Sequence, residues 1–79
     1  MTDRHILVRD LIVHRQMERE NLPNDQEELV RRRYWTFREQ NRADFDHLED
    51  LAVNLGNPEF TTRLERLTNE FCEWYKSRQ

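Results

Sequence analysis

The densest set of chemically capable side chains lies at Arg31, Arg32, Arg33, Tyr34, Trp35, Thr36, Phe37 and Arg38, with Arg42 shortly after. Cations interleaved with aromatic rings suit two tasks. They can hold phosphates while bases stack on the rings, or grip an acidic protein through Trp and Arg anchors. A solvated face is the plain alternative, because Glu27 and Glu28 stand four residues before Arg31 and Arg32, the favourable order for helical ion pairs. Between the two functional tasks protein contact is preferred, and Arg31, Arg33, Tyr34, Trp35, Arg38 and Arg42 are the candidate partner-binding residues. A dimeric nucleic-acid-binding regulator using the 31–42 stripe is the alternative. Downstream the sign reverses, with Asp44, Asp46, Glu49 and Asp50 and no Lys or Arg between Ala43 and Asn57. Asp46 and Asp50 form a second candidate patch, and two copies packed antiparallel would match basic end to acidic end.

Other constellations are weaker. His47 has Asp44 three residues before it and Asp50 three after, and His14 lies four residues from both Asp10 and Glu18. Helix-built metal sites normally repeat a Glu-x-x-His motif, which the chain lacks, so ordinary ion pairs are expected and no metal or cofactor. One glycine allows no glycine-rich phosphate loop, and no nucleophile elbow occurs. Cys72 adjoins Phe71 on an apolar helical face, where a buried, inert thiol is the expectation. The chain is read as non-enzymatic, without a small-molecule substrate.

Composition sets the outer limits. The 13 basic and 16 acidic residues leave a net charge of −3, too little for general adhesion to nucleic acid or anionic lipid. No apolar run approaches the ~20 residues needed to span a bilayer, and a cytoplasmic chain is expected. At 79 residues it holds one domain, near the size where a lone core supplies only about 3–5 kcal/mol.

The single glycine and two prolines divide the chain into three helical segments. The first, about 3–20, has Thr2 or Asp3 as its cap and places Leu7, Leu11 and His14 beside Ile6, Val13 and Met17 on neighbouring rows. Pro23 ends it. The second, about 25–55, carries Val30, Tyr34, Phe37, Asn41, Phe45, Leu48, Ala52 and Leu55 at steps of four and three. Pairs eleven apart, such as Tyr34 and Phe45, predict a nearly straight helix, roughly 45 Å long. Gly56 suits a left-handed helix end, Asn57 the next cap and Pro58 the first turn of a third helix, about 58–77. That helix aligns Phe60, Leu64, Leu67, Phe71 and Trp74.

These segments predict an all-α, three-helix antiparallel arrangement with one long central helix. The short outer helices cannot cover its whole apolar stripe, so completion by a homodimer or a protein partner is expected, with Asn41 setting register across the interface.

Overall fold

The computed structural model describes residues 4–78; Thr2 and Asp3, the expected first cap, lie outside the described residues. Among the described residues there are four helices: α1 (Arg4–Arg19), α2 (Glu27–Gln40), α3 (Arg42–Leu51) and α4 (Pro58–Lys76), with a 3-10 turn at Asn24–Gln26 ahead of α2. They pack within 32 × 22 × 20 Å. The single long helix expected over 25–55 is therefore corrected to two shorter ones, since its length would exceed the largest dimension of the molecule.

The break is at Asn41, whose φ of −124° and ψ of 38° leave helical geometry. Its side-chain Nδ2 donates to the Phe37 carbonyl at 3.0 Å, and its backbone N–H reaches the carbonyls of Phe37 and Arg38 at 3.1 and 3.2 Å. A short amide side chain bonding its own backbone competes with helix propagation, which is how Asn interrupts a helix without Pro or Gly. Asn41 thus sets a bend within the chain, where the sequence suggested a bond to a partner.

The bend turns the apolar stripe of α3 onto that of α2. The rings of Tyr34 and Phe45 lie 5.5 Å apart, and those of Phe37 and Phe45 5.8 Å apart. Val30, Tyr34, Phe37, Phe45, Leu48 and Ala52 are all buried. The uncovered stripe that predicted a second copy is consequently absent along α2 and α3.

Contacts across the bundle fix helix directions. Arg19 Nη1 donates to Asn69 Oδ1 at 2.6 Å and Glu20 pairs with Lys76 at 3.3 Å, while the start of α1 adjoins the segment preceding α4. Thus α1 and α4 run in the same direction. Helix α3 runs opposite to α4, with Asp44 near Arg66 and His47 near Glu59.

The helix ends follow local chemistry. Asn21 takes φ 50°, and Leu22 N–H bonds the Met17 carbonyl at 2.9 Å while Asn21 N–H bonds that of Glu18 at 3.2 Å. This Schellman pattern closes α1, with Leu22 and Met17 both packed on the core. Asn57 accepts from Glu59 N–H at 2.9 Å ahead of Pro58, a cap worth about 1 kcal/mol. Gly56 differs from expectation. Its φ is negative, and its N–H donates to Asn54 Oδ1 at 3.1 Å. Helix α3 ends at Leu51 rather than Leu55, and residues 52–57 form a series of turns.

Candidate functional site

Two side chains decide where the exposed apolar surface lies. Val53 and Leu55, on the turns between α3 and α4, are 74% and 52% exposed, and Leu29, the other exposed large apolar residue among those described, is less so at 37%. The early end of α3 places them there: Val53 and Asn54 N–H groups bond the Asp50 and Leu51 carbonyls in turns. Together with Leu7 and Arg4 of α1 and the rim of Ala52 they line an open groove of about 480 Å³. Arg4 is its one charged lining group, and among the described residues no carboxylate lies within ion-pair distance of it.

Of the Arg and aromatic residues expected to grip a partner, Tyr34 and Arg38 are the ones tied most firmly within the fold. Tyr34 is fully buried, with rings of Trp35, Phe45 and Phe71 at 5.4 to 5.9 Å. Arg38 donates through Nε to Glu49 Oε2 at 2.8 Å and through Nη2 to Glu49 Oε1 at 2.7 Å, a two-pronged pair, with Asp46 at 3.5 Å beyond. The Arg33 guanidinium lies 4.9 Å from the Tyr75 ring centre. Arg31 pairs with Glu27 at 2.6 Å, as the spacing predicted. Arg42, Asp46 and Asp50 are exposed.

Trp35 remains half-buried. Its ring has the guanidinium groups of Arg9 and Arg38 within 5.9 and 5.8 Å and the His5 ring at 6.2 Å. The two guanidinium contacts are cation–π arrangements, each worth about 0.5–1 kcal/mol where solvent is near. His5 and Arg9 were missed in the sequence because they belong to another helix, and no spacing rule joins residue 9 to residue 35. Glu49 was visible as one of four downstream acids. Its eleven-residue distance from Arg38 matches that of Tyr34 and Phe45, and this was the signal for the pair.

No family model matches the chain, and neither a curated protein nor a solved structure matches it.

The histidines do not converge. His14 pairs with Glu18 and His47 with Glu59, on different faces. Arg63 and, less strongly, His47 hold the Glu59 carboxyl below the usual range. Among the described residues no group of three or more His, Cys, Asp or Glu is placed to hold a metal ion. Burial pushes the Cys72 thiol up, against the opposing pull of Arg19, whose Nη1 lies 3.7 Å from the sulfur. No helix among the described residues is long and apolar enough to cross a membrane.

Tyr34 is the most perturbed of these groups. Burial, reinforced by the Glu49 carboxylate, pushes its phenol far above the ordinary value of 10.0, while Arg38 and Arg9 pull weakly the other way. Above that value the native chain keeps a proton that the unfolded chain releases, so stability falls as pH rises beyond about 10. The melting temperature is expected to drop between about pH 10 and pH 11.5, and Tyr34→Phe to flatten that drop. An equally steep fall in the variant would assign it elsewhere.

Proposed function

We propose that this chain is a non-enzymatic protein-interaction module, such as a small regulator, inhibitor or assembly subunit. Its groove between the start of α1 and residues 52–57 receives an apolar partner segment carrying an acidic residue. The observation that carries the proposal is the pair Val53 and Leu55, held in solvent beside Leu7 and Ala52 where nothing in the bundle needs them. Exposed apolar surface lowers solubility unless a partner covers it, and grouped apolar side chains rimmed by polar ones mark interaction sites. Arg4, the charged lining group, supplies the complement for an Asp or Glu on the partner.

The expected protein partner is kept, and its contact surface moves from the Arg and aromatic patch to the groove, with half-buried Trp35 at the far side of α1. The nucleic-acid alternative loses support on the stripe itself. Arg31 and Arg38 are neutralised by Glu27, Glu49 and Asp46, and Arg33 sits over Tyr75, leaving Arg32 and Arg42 as its exposed cations without a carboxylate in range.

Selection of a displayed random-peptide library on the purified chain tests the proposal. The peptides recovered should combine apolar residues with Asp or Glu, and Leu55→Asp should weaken their binding about tenfold or more. Leu29→Asp, on the first turn of α2, should leave it unchanged. Peptides lacking that chemistry, or binding that tolerates Leu55→Asp and Val53→Asp alike, would remove the groove as the site.

A further inference from the structure

The bend at Asn41 divides the molecule into two halves, α1 with α2 and α3 with α4, joined by one non-helical residue. We infer that the face of α1 and α2 covered by the α3–α4 hairpin is also a docking surface for the same hairpin of a second copy, so that two chains exchange hairpins by straightening at Asn41. The exchange does not rest on the groove reading: the groove runs between α1 and the turns of the hairpin, so an exchanged dimer would build it from two chains, and neither reading requires the other.

Three observations support the exchange. The apolar positions Val30, Tyr34, Phe37, Phe45, Leu48 and Ala52 keep helical steps of four and three straight through Asn41, so one continuous helix would present all of them on a single face. The junction contains no proline or glycine, and α3 begins without a side-chain cap. Straightening restores helical hydrogen bonds across residues 38–44 that the bend forgoes, for the loss of the Asn41 Nδ2 bond to the Phe37 carbonyl.

What the open chain loses, a second copy returns. In a continuous helix Tyr34 and Phe45 stand about 16 Å apart along the axis, against 5.5 Å between their rings in the bent form. Their contact, the Arg38–Glu49 pair, the packing of Phe37 on Phe71 and the Glu20–Lys76 pair all join one half to the other. Each can form between chains with the geometry it has within one. The two forms differ at the hinge while sharing their packing, the condition under which domain exchange is inexpensive. The partner is therefore specified by chemistry already in the fold: apolar rings to fill the seam and a carboxylate at position 49 to meet Arg38.

The Arg38–Glu49 pair provides the test. Arg38→Glu places two acids together within a monomer, and Glu49→Arg places two guanidinium groups together. In an exchanged heterodimer of these two variants, the new carboxylate at position 38 of one chain meets the new guanidinium at position 49 of the other. The unaltered Arg38 and Glu49 meet at the second junction, so both pairs are restored. Equimolar mixing followed by sedimentation should give a species of twice the chain mass with recovered helical circular dichroism, at concentrations where neither variant alone does so. Because the mixture is compared with each variant alone, the readout holds even if both are unfolded by themselves. Asn41→Ala, which removes the side-chain bond and favours helix, should lower the concentration at which the otherwise unaltered chain dimerises by about tenfold. A mixture whose sedimentation and circular dichroism are the sum of its separate components would overturn the proposal, as would an Asn41→Ala chain that stays monomeric at millimolar concentration.

Discussion

Phe71→Ala should leave most of the chain close to unfolding at room temperature, with about 4 kcal/mol removed from its stability. Phe71 is fully buried, and its ring lies 5.4 to 6.0 Å from those of Phe37, Tyr34, Trp74 and Tyr75. At this side chain Tyr34 and Phe37 of α2 meet Trp74 and Tyr75 of the last turns of α4. Truncation to alanine forfeits the transfer free energy of a phenyl group and leaves a cavity walled by stiff rings, which cannot collapse to fill it. A domain of this length commonly holds about 5 kcal/mol, so the loss consumes most of the margin. Urea unfolding followed by circular dichroism gives the comparison: the midpoint should fall toward zero denaturant while Leu29→Ala, at an exposed site, changes stability by about 0.5 kcal/mol or less. A loss below about 1.5 kcal/mol at Phe71 would mean that the surrounding rings repack.

Arg38→Met should destabilise the chain by about 3 kcal/mol, more than the loss of a surface ion pair. The side chains of Arg38 and Glu49 are only 15% and 12% exposed, and two hydrogen bonds of 2.8 and 2.7 Å join them. Glu49 also strengthens the guanidinium charge, being the chief cause that raises the Arg38 pKa. With methionine at position 38 the aliphatic stem is kept but a nearly buried carboxylate loses its partner, and that uncompensated charge dominates the penalty. Glu49→Gln added to Arg38→Met should therefore restore a large part of the stability. In a chain this small, 3 kcal/mol corresponds to a fall of about 15 °C in melting temperature. If the double variant melts as low as Arg38→Met alone, the penalty comes from the lost contact of the guanidinium with the Trp35 ring and not from the stranded charge.

These two sites show why the candidate interface was only partly legible. Arg38 and Trp35 were singled out because Arg and Trp anchor partners, and they do anchor a surface, but it belongs to the same chain. Composition tells which side chains can grip and is silent on whether the complement is internal. For Arg38 the complement was Glu49, placed on the same helical face by the spacing. For Trp35 it was Arg9 and His5 on α1, which only packing could bring near. Val53 and Leu55 escaped notice for the opposite reason. Leu55 continues the apolar pattern of a helix that the backbone ends at Leu51, so a residue expected in a seam stands in solvent, and Val53, off that pattern, stands beside it.

By itself the sequence determined the helical class, the first helix's end before Pro23, the start of the last helix at Asn57 and Pro58, and the residues that face inward on α2, α3 and α4, because capping and 3.6-residue periodicity are local properties of the chain. Even the core membership of Tyr34, Phe37, Phe45, Phe71 and Cys72 follows from spacing alone. The direction in which the stripe runs after Asn41 was decided only by the tertiary structure. Residues eleven apart share a face whether the helix between them continues straight or bends toward that face. Burying Phe45 on Tyr34 and Phe37, with Glu49 on Arg38, closes one core within one molecule, and that gain is absent from any description of the helix in isolation. The same ambiguity underlies the proposed exchange, in which the stripe would run straight and a second copy would supply the missing half.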